Sequence, residues 1–424
     1  MSNILIIGAG AIGLVTATRL LELDNKHSIT IIDAGDDPRR FRKNNAIGAS
    51  FSGGDARHVT VTETECPASP LKNIYKPVFP GNGGWVAKPI NDLSKEEKGW
   101  ANEFNRLGSG DGKTRDKLGE KISAINKESM FLWRRYIEKF PFLFSENTGL
   151  KDGGVLVFFH SKEDRDGDFQ WETHVDSGSK LVRQLSKEDI RKNCNNFAEA
   201  KLEGIIVDGF SIHVIAFLKN LINYLERKKV KFFWNKKIDS LQELKKSYKN
   251  IIICSGAFGN DLLKNEKQID IARKIKKVVG VWVTIQNPGI YRPFKIKAPP
   301  PTGYINATPD NRKGKKVLIM SGGYGFVGDD DYTKGSVELT GLQVHFEEQI
   351  KRVFPKEYSI ALKEGTLDRR ICARPMTPDG MPVCKTIGKT KQNGEIIVAT
   401  GNCAGGFTQA QFIAEKILRL LSQE

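Results

Sequence analysis

The stretch RRICARPMTPDGMPV, Arg369 to Val383, places a thiol and a guanidinium just ahead of a turn. Pro378-Asp379-Gly380 suits a chain reversal, because proline presets φ while Asp and Gly tolerate the bend. Turn chemistry leaves Cys372 and Arg374 unexplained. An arginine offers two parallel N–H donors that match the two oxygens of a carboxylate. A buried cysteine is either a reactive sulfur or a small inert core residue.

A second set of residues lies at the other end of the chain. In NILIIGAGAIGLVTATRLLEL, Gly8, Gly10 and Gly13 form G-x-G-x-x-G between a buried strand and a helix. The first glycine permits the turn, the second lets backbone approach a pyrophosphate, and the third lets helix and strand pack closely. The phosphate would rest at the helix start, over Ala11 and Ile12, where unpaired N–H groups favour negative charge. SITIID then ends in Asp33, followed by Ala34; Asp33 comes twenty residues after Gly13. That spacing suits a carboxylate accepting from ribose hydroxyls.

These residues need elements to position them. KNIIICSGAFG reads as another buried strand, ending at Ser255, Gly256 and Ala257. EIIVATGNCAGGFTQAQFIAEKILRLL reads as a third strand–glycine–helix unit. Units spread this far along the chain can share one nucleotide-binding sheet with another domain inserted between them; the glycine motif itself does not separate NAD from FAD, but this arrangement suits a long cofactor held across the whole domain, for which FAD is the natural candidate. The 424 residues allow two or three domains. Hydrophobic residues at 39% and charged residues at 27% suit a globular protein. No run of 18 apolar residues suggests a transmembrane helix, and no basic region precedes the apolar N-terminus, so a cytoplasmic protein is expected. The formal charge of +16 leaves a peripheral membrane location as the alternative. Without a basic tail or an RNA-binding motif, the lysines read as solvated surface, and no nucleic-acid partner is expected. The six cysteines lack CxxC spacing, which argues against zinc and a disulfide framework; no metal is expected.

Taken in order, the glycine motif, GASFSGGDARH, TGLKDGGVLVFF, KNIIICSGAFG, RPMTPDGMPV and VATGNCAGGFT resemble the D-amino-acid oxidase superfamily of FAD-dependent oxidoreductases. That superfamily includes D-amino-acid dehydrogenases, glycine oxidases and sarcosine oxidases. The resemblance implies an α/β fold: a Rossmann-like FAD-binding domain with an inserted antiparallel-sheet α+β substrate domain. The expected division is 1–70, 200–272 and 362–424 for FAD, with 71–199 and 273–361 for substrate.

The resemblance also implies roles. Ser50, Ser52, Gly53 and Gly54 would pass beside the isoalloxazine ring, and Arg57 would place a cation near it. Lys237 and Ile238 would contact adenine through backbone, and Ser255 and Gly256 would line the cofactor. Gly405, Gly406, Phe407 and Thr408 match the last flavin-binding turn, although Asn402 stands where D-amino-acid dehydrogenases often carry histidine. Arg374 matches the carboxylate clamp of D-amino-acid dehydrogenases and glycine oxidases. Cys372 has the spacing of the sarcosine-oxidase cysteine that bonds to flavin, but Thr60 and Thr408 replace that subfamily's own clamp. Tyr324 is a pocket wall or hydroxyl donor, or an ordinary half-buried strand tyrosine. His58 and His213 read as structural.

The implied activity is oxidation of the C–N bond of an amino acid or N-substituted amino acid, with hydride passing to flavin N5. Oxidation of a 2-hydroxy acid or a sugar-linked substrate is the alternative, and a non-catalytic, FAD-bound, nucleic-acid-associated protein a more distant one. The partner is a small amine or amino acid. The electron acceptor, oxygen or quinone, and a homo-oligomeric state stay open.

Overall fold

The computed structural model describes residues 2–40, 57–64, 85–109, 112–193, 202–298, 302–312, 314–331 and 335–422. Strands are numbered in chain order. The first sheet joins β1 (Asn3–Ile7), β2 (Ser28–Ile32), β8 (Lys231–Phe233), β9 (Asn250–Ile253), β15 (Val383–Lys389) and β16 (Glu395–Thr400) in the order β15-β16-β9-β1-β2-β8. All its pairs are parallel except β15 with β16.

The central strands are continuous apolar runs because both faces are covered. Ile4, Ile6, Ile29, Ile31, Ile252 and Ile397 face the helices Ala11–Leu23, Val214–Arg227 and Ala410–Leu421. Their neighbours Leu5, Ile7, Ile32, Ile251, Ile253 and Ile396 form a separate core on the other face. The strand units that end in glycine turns lie side by side, as β16, β9 and β1.

The second sheet holds β4 (Val155–Phe159), β5 (Arg183–Gln184), β6 (Glu203–Val207), β10 (Lys276–Gln286), β11 (Phe294–Lys297), β12 (Tyr304–Arg312), β13 (Lys315–Gly328) and β14 (Asp368–Met376). Its order is β14-β10-β13-β12-β11-β4-β6-β5. Every pair is antiparallel except β4 with β11. β3 (Arg57–Thr60) and β7 (Gly209–Ile212) form a small antiparallel pair.

Alternation sorts the residues of β10. Val279, Val281, Val283 and Ile285 pack under the helix Val337–Val353 through Leu339, Leu342, Phe346 and Ile350. Ser336 caps that helix, its hydroxyl accepting from the Leu339 N–H. Gly280 and Trp282 occupy the opposite face.

The mixed α/β architecture agrees with the expected fold. Sheet membership divides the chain differently from the expected boundaries. β6 and β14 pair into the second sheet, although the expected nucleotide domain takes in 200–272 and 362–424. The helix Gly112–Lys139, within 71–199, packs into the first core through Met130, Trp133 and Tyr136. Ladder partners distant in sequence decide this membership, and composition does not report them.

Candidate functional site

The glycine turn follows β1, and its glycines answer to different constraints. Gly8 has φ +110°, and a Cβ on it would lie 2.7 Å from the Cys254 carbonyl carbon. A Cβ on Gly13 would meet the Gly8 carbonyl. The chain itself therefore requires both. Gly10 has an ordinary φ of −73°, and a Cβ there would find no described residue within 4 Å. Among the described residues nothing demands glycine at that position, which begins the helix Ala11–Leu23 without a side-chain cap. The bare backbone there leaves room for a ligand to approach the helix start.

Asp33 is buried, and its carboxylate accepts from the N–H groups of Ala9 and Gly35, both at 2.7 Å. It thus braces the glycine turn besides standing at the expected ribose position. Gly8, Asp33, Ala34, Lys237, Ile238 and Ser255 line one cavity of about 510 Å3. Lys277, Asp329 and Asp330 close it from the second sheet's side. The Lys237 ammonium turns to Asp239 at 3.0 Å, consistent with a contact made by its backbone. Gly256 adopts φ +55° at the start of the next turn.

The cavity-lining Asn260 donates to the Ile275 carbonyl at 2.8 Å and to Asp329 at 3.2 Å, but its buried Oδ1 has no donor among the described residues. An open cavity, and a glycine and a buried acceptor that no described residue accounts for, fit the nucleotide end of FAD.

After β16, Gly401 at φ +79° and Cys403 at φ +49° lead into the turn Cys403–Gly406. A Cβ on Gly405 would crowd Thr64 Oγ1 at 2.7 Å, whereas Gly406 meets nothing nearer than 3.9 Å. Phe407 stacks on Trp133, with ring centroids 4.8 Å apart. The Trp133 indole donates to the Thr408 carbonyl at 3.1 Å, and the Thr408 hydroxyl donates to the His58 carbonyl at 3.4 Å. These contacts fix the turn against the core. Asn402 is buried and donates to Gln409 at 2.9 Å, and its Oδ1 has no partner among the described residues.

Ser50, Ser52, Gly53 and Gly54 lie outside the described residues. Arg57 opens β3 opposite Ile212, and its side chain also falls outside them. His58 is buried, with Nε2 3.1 Å from both the Ala307 carbonyl and Thr308 Oγ1. Burial, with Lys295 nearby, pushes its pKa down to about 3, so it is neutral. His213 lies 3.2 Å from Asp310. Beside Thr60, where the sarcosine-oxidase clamp would begin, Lys295 donates to the Thr60 hydroxyl at 3.1 Å and pairs with Glu63 at 2.8 Å.

Arg374 lies on β14, opposite Val278 of β10. Its guanidinium carbon sits 5.1 Å from the Tyr324 ring centre and 5.9 Å from that of Trp282. Tyr324 stacks in turn on Trp85, with centroids 4.7 Å apart and planes 10° from parallel. Arg374 Nη1 donates to the Gly323 carbonyl at 2.8 Å. A Cβ on Gly280 would lie 2.9 Å from Nη1 and nearer still to Cζ and Nη2, so the guanidinium rests on this bare backbone.

Arg374 is half-buried, and no carboxylate pairs with it among the described residues. Cys372 is buried beside Trp282 and Ile319, two residues before Arg374 on the same strand. Its Sγ donates to the Ala373 carbonyl at 3.5 Å. Met376 at the end of β14 bridges to Asn402, tying the arginine strand to the glycine turn after β16.

Arg374 and Tyr324 thus come together, with Cys372 on the same strand. Gly280, Gly323, Trp85 and Trp282 are participants that sequence reasoning passed over. One sign was available: Gly280 interrupts the branched run KVVGVWVTI. No group of potential metal ligands occurs among the described residues, and none of their helices is long and apolar enough to cross a membrane.

Solved structures with the same fold include glycine oxidase from Geobacillus kaustophilus at 14% identity and TM-score 0.64, covering 100% of this chain and 96% of that one. Iminodiacetate oxidase from Chelativorans sp. BNC1 aligns at 14% identity and TM-score 0.62, covering 99% and 95%. L-proline dehydrogenase from P. horikoshii aligns at 13% identity and TM-score 0.62, covering 100% and 93%. No curated protein sequence matches significantly. The DAO family, described as FAD dependent oxidoreductase, matches residues 3–420. With nearly its whole length matched, the chain belongs to the DAO family of FAD-dependent oxidoreductases.

Proposed function

We propose that the protein oxidises the C–N bond of an amino acid or N-substituted amino acid whose carboxylate is held by Arg374. The observation that carries this reading is a half-buried guanidinium with one hydrogen bond, to Gly323, and no acidic partner among the described residues. A desolvated charge without a counter-ion is costly, and a bound carboxylate removes the cost. Tyr324 and Trp282 restrict the guanidinium from two sides, so the fork is oriented before substrate arrives.

Residues of the glycine turn, Asp33, Ala34, Lys237, Ile238 and Ser255 would hold the nucleotide end of FAD, and the turn through Gly405 and Gly406 its ring. When bound, FAD supplies the hydride acceptor. His58 is neutral, buried and engaged through Nε2, which suits a structural role. The amine would therefore enter unprotonated, without a side-chain base. Arg57 would bring positive charge near the ring, and Tyr324 would serve as a wall.

Anaerobic bleaching of the flavin across D-, L- and N-methyl amino acids and 2-hydroxy acids tests the reading. Arg374→Ala should lower kcat/KM on the best substrate by roughly thirty-fold to several thousand-fold, the ~2–5 kcal/mol expected for truncating one partner of a buried charge pair. Arg374→Lys should not restore it, since the fork is lost. Full activity in Arg374→Ala would remove the amino-acid assignment. Bleaching by 2-hydroxy acids alone would replace it with the hydroxy-acid reading.

A further inference from the structure

The cavity that would seat the nucleotide has walls from both halves of the molecule, and one carboxylate joins them. Asp329 directly follows β13 and so belongs to the second sheet. Asn260 and Lys264 lie on the helix Asn260–Asn265, whose Leu262 and Leu263 pack with Leu5, Ile7 and Ile253 of the first. All three polar residues line the cavity. Asp329 Oδ1 accepts from the Asn260 amide at 3.2 Å, and the Lys264 ammonium lies 3.6 Å from Oδ2.

The second sheet holds Asp329 more firmly. Lys276, the first residue of β10, is fully buried and donates to Oδ2 at 2.7 Å. A buried ammonium needs its counter-ion, so this contact is costly to give up. Lys277 donates to the Asp329 and Asp330 carbonyls at 2.9 and 3.1 Å. The Asp329 N–H donates to Glu97 at 2.9 Å, and a Cβ on the preceding Gly328, at φ +61°, would strike the same Glu97 carboxylate. Toward the first sheet, Asp329 makes one amide hydrogen bond and one ion pair whose members are both partly open to solvent. Such a pair contributes little and is screened by salt. A firm anchor on one side and a weak one on the other make a joint that opens between Asp329 and the helix Asn260–Asn265.

We propose that Asp329 is a clasp on the cofactor: its contacts with Asn260 and Lys264 hold the two cavity walls together around the nucleotide end of FAD, and they break before FAD leaves. This rests on the reading of the cavity as the seat of that end. A carboxylate that merely lines the cavity predicts the opposite behaviour. It would repel the pyrophosphate, so removing it would slow FAD release, whereas removing a clasp speeds it.

The experiment dilutes FAD-loaded protein and follows release by the fluorescence of free FAD. Asp329→Ala combined with Lys276→Met removes both members of the buried pair, so it strands no charge and leaves the net charge unchanged. It should release FAD roughly ten-fold faster or more, the worth of a hydrogen bond to a charged group. Asp329→Asn, which keeps the shape, serves should the double variant fail to fold. It should speed release by roughly two- to five-fold, as for a partly exposed ion pair. FMN, which lacks the adenylate, should leave each variant at the wild-type rate.

Release of FAD at the wild-type rate or more slowly would overturn the clasp. Equal acceleration of FAD and FMN would overturn it too, since that is general loosening. A wild-type protein that holds FMN as tightly as FAD would overturn the reading of the cavity itself.

Discussion

The glycine turn after β1 and the arginine seat on β14 both depend on bare backbone, yet their glycines answer to different neighbours. Gly8 and Gly13 are constrained by Cys254 and by each other, within a strand–turn–helix unit and its adjacent strand. Gly280 is constrained by a guanidinium on a strand that begins nearly ninety residues later. The first arrangement is a local motif that any chain making this turn must repeat. The second is a cross-strand coincidence that exists only once the sheet is assembled. Substitutions at the two places should therefore fail differently.

The largest effect on the cofactor is expected at Gly10. A valine there meets no described residue within 4 Å of its Cβ, so the fold should survive. Its branches would occupy the space reserved for pyrophosphate. Overpacking of this kind costs about 1–3 kcal/mol or more, so FAD affinity should fall by about ten- to hundred-fold or beyond, and activity with it. Purified Gly10→Val should be colourless with a near-normal melting transition. Retained yellow colour would show that the turn is not the cofactor's seat. Gly13→Val should instead lose the fold, because the obstacle is the Gly8 carbonyl.

Gly280→Ala should separate the two regions further. The atoms that a Cβ would strike are the far end of a long side chain, which can swing away at little cost to folding. The guanidinium would then leave the site between Tyr324 and Trp282. The melting temperature and flavin content should stay near wild type, while kcat/KM falls by roughly ten- to hundred-fold, as for about 1–3 kcal/mol of misplacement. Spectral perturbation by simple carboxylates should weaken in parallel. An active, carboxylate-responsive Gly280→Ala would mean that Arg374 does not act from this seat.

The same contrast explains what was legible in the sequence. The parallel sheet and its turn could be read because strand, glycines, helix and Asp33 follow one another within 33 residues. Even there, the Asp33 carboxylate bonded to Ala9 and Gly35 was not foreseen, since its partners are backbone groups without a residue signature. Arg374 was legible through RPMTPDGMP, but its surroundings were not. Trp85, Trp282, Gly280 and Gly323 come from three separate segments, and only ladder registration brings them to one place. The placement of β6 and β14 in the second sheet leaves no local signal for the same reason.

The contact between the halves offers a smaller test. Glu172, on the helix Lys162–Val175 that covers the second sheet, is buried and accepts from the Thr62 hydroxyl just beyond β3. Burial raises its pKa to about 7, and Asp168 and Asp176 add to the rise, while the Thr62 hydrogen bond and Lys295 oppose it. The folded state therefore holds this proton where the unfolded chain has released it. Stability from this group is fully present below the ordinary glutamate pKa of about 4.3 and declines as pH rises through about 7. Glu172→Gln keeps the acceptor for Thr62 and removes the charge. It should stabilise the protein at pH 8 by on the order of 1–3 kcal/mol and change little at pH 4.5. Melting curves across that range check it, and a variant less stable at pH 8 would show that Lys295 dominates.

The smallest effect is expected at Cys372, where the two regions would be joined if the sulfur were bonded to flavin. The spacing permits that bond, but the environment argues against it. The thiol is 7% exposed and packed against Trp282 and Ile319, and its Sγ donates to the next residue's carbonyl. A reactive cysteine needs thiolate character, which an apolar setting disfavours. Serine is close in size and can keep the bond to the Ala373 carbonyl. Acid precipitation of the wild type should therefore leave a yellow supernatant and a colourless pellet, and Cys372→Ser should purify with an unchanged flavin content. A yellow wild-type pellet that turns colourless in Cys372→Ser would reverse the conclusion. It would place the flavin against the β14 strand and make the arginine seat and the cofactor seat one covalent unit, rather than two regions joined through the Met376–Asn402 bridge.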